Sequence, residues 1–298
     1  MTTLRSSLLF LAVSALLGAP GCTVASGDQE EVWGTDEAGS EANAPEAPPL
    51  DDDTVSETLG PGDPNGIITG NGANPLTPEI LNAWAPVARV LTLAPLTPLA
   101  LEISEIVDIL DGRTFLDYAV KCALPAGESV STTVLGVTHT FKGHVGIAPE
   151  WATEALSESS RRWLSACILA HVNVTSTKVM ILLRGDHPAL SVPSGSSTGE
   201  FVLREGGFYG DIFAFTPAKH ACVGAATIPE RACTKNLSGL SPCGFTIPGH
   251  CRGTSVAACE GLNDGAYETC HSKPIVPSDE STAYPETITV YLKPSTSK

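Results

Sequence analysis

Basic residues are scarce in this sequence, and their scarcity excludes one large class of function. The 298 residues include 17 Lys and Arg against 33 Asp and Glu, a formal net charge of −16. Not one Lys or Arg lies between Arg5 and Arg89. Nucleic-acid binding needs a basic surface that neutralises phosphates, so nucleic acid is not the expected partner.

The sequence also lacks an apolar run long enough to cross a membrane as a helix. The N-terminal run Leu8–Leu17 has ten residues, whereas a helix needs about 20 to span the bilayer core. Arg5 precedes this run and Gly18-Ala-Pro-Gly-Cys22 follows it, an order that resembles a bacterial lipoprotein signal. We therefore predict a signal peptide over residues 1–21 and lipidation of Cys22. A secreted protein with an ordinary signal peptide and a chance cysteine is the alternative.

The lipid at Cys22 is the expected membrane contact of the mature chain. Thr23, not Asp, follows this cysteine, which favours an outer-membrane lipoprotein over one kept at the inner membrane. The expected location is the cell envelope, at the outer membrane, facing either the periplasm or the cell surface.

Residues 22–74 have the composition of a disordered linker. Twelve acidic residues lie between Asp28 and Asp63, and Pro, Gly, Ala and Ser fill most of the rest. Such a segment cannot bury enough apolar area to offset the entropy of ordering, and like charges keep it extended. It is predicted to be a tether for a globular domain over residues 75–298. A specific tail for Ca²⁺ or a basic partner is the alternative.

Nine cysteines indicate an oxidising compartment. Eight of them remain after Cys22 is set aside: Cys122, Cys167, Cys222, Cys233, Cys243, Cys251, Cys259 and Cys270. An even number in an exported chain predicts disulfides. No C-x-x-C or C-x-x-C-H spacing occurs, which disfavours a zinc finger and attached haem, so no cofactor or metal is expected.

Cys122 and Cys167 stand apart from the six cysteines that crowd into residues 222–270. We predict a Cys122–Cys167 disulfide and three local disulfides in a cystine-rich lobe at about residues 216–273. The connectivity inside the lobe stays open. The rival pairing joins Cys122 or Cys167 to the lobe.

The order of elements predicts an α+β fold, with a helix-rich N-terminal half packed on a mainly antiparallel sheet and a C-terminal disulfide-rich loop lobe. Helical spacing and caps predict four helices. The first begins at Pro78 and is kinked or split at Pro86, and the second covers about 101–110. The third covers 112–124 with Asp111 as its N-cap, and the fourth covers 157–172 with Asn173 as its C-cap. Strands are predicted at 130–134 and 137–141, joined at Leu135-Gly136, and at 178–184, 201–203, 208–215 and 287–292. In the last strand Ile288, Val290 and Leu292 are expected to face inward, and Thr287, Thr289 and Tyr291 outward.

Five segments together resemble a group of uncharacterised secreted lipoproteins of myxobacterial type. They are Tyr118–Gly127, Arg162–Asn173, Glu205–Phe213, Ala221-Cys222 and Pro242–Phe245. The similarity covers roughly residues 74–270 and marks a family without a known activity, so it implies no functional residue. His171 stands where the resemblance leads us to expect Arg.

Two patterns could support nucleophilic catalysis. Gly195-Ser-Ser-Thr-Gly199 matches G-x-S-x-G, but that motif needs a strand before it and a helix after it, and the flanking residues here favour a flexible loop. His220, His250 or His271 could supply the base. Cys122 or Cys167 could act as a thiol nucleophile with His171 as base. Cys167 and His171 lie four residues apart on a predicted helix, which also suits a metal site, although a disulfide would consume the thiol.

Two further patterns could form binding sites. His139 and His144 flank a predicted turn at Lys142-Gly143 and could bind a metal. Glu205 and Asp211 bracket Gly-Gly-Phe-Tyr-Gly, which could line a carbohydrate site with exposed aromatic rings. The favoured alternative is that these glycines let a strand bend or bulge.

The sequence therefore predicts a tethered cell-envelope lipoprotein that acts as a binding or structural module, with no evident catalytic residues. Its ligand class, a surface glycan or a protein, stays open. A secreted hydrolase without a recognisable local motif is the alternative.

Overall fold

A computed structural model describes residues 67–69, 74–175, 177–226, 228–235, 241–253, 257–275 and 280–294. The predicted signal peptide, Cys22 and most of the predicted tether lie outside these residues. One part of the tether prediction differs from the structure, because Ile67–Thr69 forms strand β1. Among the described residues, none of the helices is long and apolar enough to cross a membrane.

In the described part of the chain, four α-helices precede most of the sheet. They are α1 (Pro78–Ala88), α2 (Pro98–Ile103), α3 (Leu110–Ala123) and α4 (Glu158–His171). Thr77 and Thr97 cap α1 and α2, and each cap is followed by a proline at the first helical position, which suits a position whose N–H needs no partner. The helix α1 continues past Pro86 and then tightens into a 3-10 helix, Arg89–Leu93.

Three helix predictions were wrong in detail. The helix expected at about 101–110 is α2, which begins at Pro98 and ends before Glu105, whose φ of 56° is left-handed. Asp111 lies in the first turn of α3, and Ile109 occupies the N-cap position. Val172 is the C-cap residue of α4, whereas the Asn173 side chain accepts a hydrogen bond from Arg231.

Among the described residues, the main sheet has five antiparallel strands in the order β1-β4-β11-β5-β6. Beside β1 they are β4 (Ile181–Arg184), β11 (Ile288–Leu292), β5 (Leu203–Asp211) and β6 (Ala218–Val223). No strand was predicted at β6, and the two strands predicted at 201–203 and 208–215 are the single strand β5. The C-terminal strand β11 lies at the centre of the sheet, between β4 and β5, so the two halves of the chain share one sheet.

The two faces of this sheet belong to different hydrophobic clusters. Phe208, Ile288 and Val290 join the large core with the helices. Tyr209, the next residue along β5, packs with the cysteines of the cystine-rich lobe, because successive strand residues point to opposite faces. All five residues of β11 are consequently buried. The prediction that Thr287, Thr289 and Tyr291 face outward was wrong, since all three are buried. The lobe covers this face, where Tyr267 and Gly265 form hydrogen bonds with Thr289 and Tyr291.

Four disulfides hold this arrangement. They are Cys122–Cys167, Cys222–Cys251, Cys233–Cys243 and Cys259–Cys270. The predicted Cys122–Cys167 pair joins α3 to α4, with the two Cα atoms 6.0 Å apart. The other three are local to the lobe. Helices, antiparallel sheets and a disulfide-rich lobe together make this an α+β protein, as the sequence predicted.

Six further strands lie outside the main sheet in the residues that the structure describes. They are β2 (Ser129–Val134), β3 (Val137–Lys142), β7 (Leu262–Asn263), β8 (Ala266–Tyr267), β9 (Cys270–His271) and β10 (Ala283–Tyr284). The strands β2 and β3 form the predicted hairpin. Leu135 and Gly136 connect them with φ angles of 50° and 80°, the positive values that a type I′ turn requires.

Candidate functional site

The Gly195–Gly199 loop does not form a nucleophile elbow. The Ser196 hydroxyl donates to the carbonyl oxygen of Pro193 at 2.6 Å. The carbonyl oxygens of Ser196 and Ser197 accept hydrogen bonds from the guanidinium of Arg184 at 2.9 and 2.8 Å. The next regular element is strand β5, where the motif requires a helix. The loop therefore has a structural role, holding a buried arginine.

Cys167 and His171 lie together on α4 but do not form a thiol–imidazole pair. Cys167 is bonded to Cys122, and all three side chains are buried. The Nδ1 atom of His171 lies 2.8 Å from the Cys167 carbonyl oxygen. Burial lowers the pKa of His171 to about 3, so this imidazole is neutral at physiological pH. The group is therefore part of the core.

His139 and His144 do not flank a turn. Lys142 ends strand β3, which also contains His139. Within the described residues, three metal-ligand side chains come together only at Cys122, Cys167 and His171 and at Cys222, Cys251 and Cys259. All five of these cysteines are in disulfides. Neither group contains His139 or His144.

The segment from Glu205 to Asp211 is buried in β5. Phe208 and Tyr209 have no exposed surface, so neither ring can stack on a sugar. A Cβ atom on Gly206 would lie 2.2 Å from the carbonyl oxygen of Cys222, closer than side chains approach. The glycines thus allow close packing of β5 and β6. The register of β5 with β11 also shifts between Arg204 and Gly206, an irregularity of the kind that the favoured interpretation predicted.

The sequence analysis missed a buried ion pair between Glu205 and Arg231. The Nε and Nη2 atoms of Arg231 donate to Glu205 Oε2 at 3.1 and 2.7 Å, and both side chains are fully buried. Its Nη1 atom donates to the Val172 carbonyl and to Asn173 Oδ1. Burial raises the pKa of Glu205, although Arg231 opposes this shift. The pair links β5 to the end of α4, so its role is in the fold.

A second group of polar side chains is buried on the lobe side of the sheet. The ring of His220 stacks on Tyr209 with 5.5 Å between centroids, and Tyr284 packs against both rings. The Nδ1 atom of His220 is buried and has no hydrogen-bond partner within the described residues. Burial lowers the pKa of His220 to about 4.

The depressed pKa of His220 predicts acid sensitivity. The pKa of His220 in the folded protein lies below the unfolded value of 6.5, so protonation favours the unfolded state. Its contribution to the free energy of unfolding is complete above pH 6.5 and is lost as the pH falls towards 4. His220→Phe keeps the aromatic stack and removes the titration. We expect the variant to lose about 2 kcal/mol less stability than wild type between pH 7 and pH 5.

Urea denaturation at both pH values measures this difference. His250→Gln, at an exposed position, is the matched control and should follow wild type. A His220→Phe variant with the same pH dependence as wild type would contradict the assignment.

The hairpin β2–β3 is the best candidate for a binding surface. Its two strands pair only with each other within the described part of the chain, and Val130, Thr132 and Phe141 anchor one face on the core. The opposite face carries a row of hydroxyls, in which Ser131 bonds to Thr140 and Thr133 to Thr138.

A groove follows each outer edge of this hairpin. The groove beside β2 has a volume of about 530 Å³ and lies against Leu96, Pro98 and Leu124. The groove beside β3 has a volume of about 380 Å³ and lies against α3. Leu135 at the hairpin tip is 98% exposed. Within the described residues, no further strand pairs with either of these edges. Nothing in the linear sequence indicates that the edges are open.

No family model, curated protein or solved structure matches this chain. The function is therefore inferred from the sequence features and the geometry of the site.

Proposed function

We propose that this protein is a lipid-anchored binding module of the cell envelope. The observation that carries the proposal is the β2–β3 hairpin, which stands on the core with a groove along each edge. Ligand sites are commonly concave surfaces on a rigid scaffold. The four disulfides make this scaffold rigid and suit an oxidising compartment.

The lipoprotein signal before Cys22 supports the envelope location. Acylated Cys22 would hold the chain at the outer membrane, and the acidic segment that follows would separate the folded part from the lipid surface. Binding at the hairpin would then connect the membrane to a surface glycan or to another protein.

Replacing the anchor residue tests the attachment. Cys22→Ala should move the protein from the membrane fraction to the soluble fraction, because the acyl chains supply the apolar area for membrane binding. Fractionation of cells that express the full chain measures this shift, with radiolabelled palmitate to detect the lipid.

Thr23→Ala, a change at the adjacent residue, is the control and should remain in the membrane fraction with its label. The assignment fails if Cys22→Ala still sediments with membranes in the absence of detergent.

A further inference from the structure

The outer edge of strand β3 is open. In a hairpin with a two-residue turn, Val134 and Val137 exchange hydrogen bonds, and bonded and non-bonded pairs then alternate. The bond from the Gly143 N–H to the Glu128 carbonyl, at 2.8 Å, continues the same alternation. Thr138 and Thr140 therefore direct their backbone N–H and C=O groups away from β2.

These backbone groups face the groove between β3 and α3. Within the described residues, the backbone groups of Thr138 and Thr140 form no hydrogen bond beyond the β2–β3 hairpin. Both residues border the groove, which Leu110, Arg113 and Asp117 of α3 close on the other side. The groove is thus walled by a helix and by an unsatisfied strand edge.

The edge lacks three of the features that usually prevent strand pairing, although α3 lies across the groove from it. Natural edge strands are protected by proline, bulges, inward-pointing charges or a covering element. The strand β3 contains no proline, its only formally charged residue is Lys142 at its end, and its register with β2 has no bulge. An extended backbone supplies the alternating donors and acceptors that such an edge requires.

Among the described residues, the groove contains one formally basic side chain, Arg113, and one acidic side chain, Asp117, which already interacts within the protein. The Nη1 atom of Arg113 donates to the Val107 carbonyl at 2.8 Å, which fixes the guanidinium at the start of α3. The side chain is half-buried and lines the groove, so we expect its remaining N–H groups to be accessible to a ligand there. A carboxylate opposite Arg113 would make a charge-assisted hydrogen bond there.

We propose that the groove between β3 and α3 binds an extended polypeptide that adds to β3 as a third strand, with a carboxylate of that polypeptide against Arg113. The proposal rests on the proposed function of a binding module and specifies its ligand class. The carboxylate belongs either to an acidic side chain or to the C-terminus of that polypeptide. Amidation of the C-terminus distinguishes these two sources.

Selection from a phage-displayed library of random twelve-residue peptides on the full mature chain provides the probe. Enriched peptides are synthesised with a free acid or an amidated C-terminus, and their binding is measured by fluorescence anisotropy. A loss on amidation identifies a C-terminal carboxylate, and retained binding identifies an acidic side chain. Either result agrees with the proposal if Arg113→Gln weakens binding about fivefold.

Two proline variants test which edge is used. Thr140→Pro removes an outward N–H from β3 and leaves the hydrogen bonds to β2 intact. Ser131→Pro makes the same change on the directly opposite residue of β2 and is the matched control, since both variants lose the same hydroxyl contact. We expect Thr140→Pro to weaken peptide binding at least tenfold and Ser131→Pro to change it less than twofold.

Peptides with N-methyl groups at alternate residues test the same point without altering the protein. Methylation in one register should abolish binding, and methylation in the other register should have little effect, because only alternate N–H groups face β3. The proposal is overturned if no peptide is enriched, if neither register matters, or if Ser131→Pro is as damaging as Thr140→Pro. The Cys22→Ala result does not depend on any of these outcomes, so the membrane attachment and the ligand class fail separately.

Discussion

Replacing both Cys122 and Cys167 with alanine should lower the free energy of unfolding by about 4 kcal/mol. The bridge closes a loop of 45 positions, and the loss follows from the chain entropy that such a loop restores to the unfolded state. A domain is stable by only about 5–15 kcal/mol, so the loss is a large part of the total. Urea denaturation of the double variant measures it.

The Cys233→Ala/Cys243→Ala variant is the matched control. Its bridge is also buried but closes a loop of only 10 positions, so its loss should be smaller by about 1 kcal/mol. Hydrogen exchange should accelerate in α3 and α4 for the first variant and near residues 233–243 for the second. An equal or larger loss from the short loop, or unchanged exchange in α3 and α4, would contradict the explanation.

Arg231→Met should destabilise the protein by about 3–5 kcal/mol, because it leaves the buried carboxylate of Glu205 without its cation. The Oε1 atom of Glu205 is buried without a hydrogen-bond partner within the described residues. The negative charge of the carboxylate is therefore compensated at Oε2, which accepts both hydrogen bonds from Arg231. Thermal and urea denaturation of the variant measure the loss.

The pH dependence separates this mechanism from a simple packing defect. Without Arg231 the pKa of Glu205 rises further, so the neutral acid is favoured in the folded state. The deficit of Arg231→Met should therefore be smaller at pH 5 than at pH 7.

A second variant, Arg231→Met/Glu205→Leu, removes both charges and should recover most of the lost stability. A deficit that is the same at both pH values, together with no recovery in the double variant, would refute the explanation.

Local signals explain why much of the fold was predictable. Thr77-Pro78 and Ser157 mark helix starts by side-chain capping, which involves residues three apart. Leu135-Gly136 marks a hairpin because a tight turn needs two positive φ angles in succession. In each case the residues that interact are close in sequence.

The candidate sites were less predictable, because they depend on residues far apart in the chain. Glu205 and Arg231 are 26 positions apart, and neither flanking sequence indicates a buried charge. The hypotheses on Ser196 and on Cys167 with His171 matched short patterns, yet the surrounding structure placed these groups in a loop and in the core. A short motif specifies chemistry only if the fold exposes it.

The sequence by itself determined the α+β class, the cap at Thr77 and the β2–β3 hairpin, because capping, turn geometry and apolar periodicity are local properties. It favoured the Cys122–Cys167 bridge, and the structure decided between this bridge and the rival pairing with the lobe. Only the tertiary structure decided the central position of β11, the burial of its second face and the pairing inside the cystine-rich lobe. It also left the outer edge of β3 open. Each of these depends on which distant segment packs against a strand, and a strand carries the same alternating pattern whether its edge is covered or free.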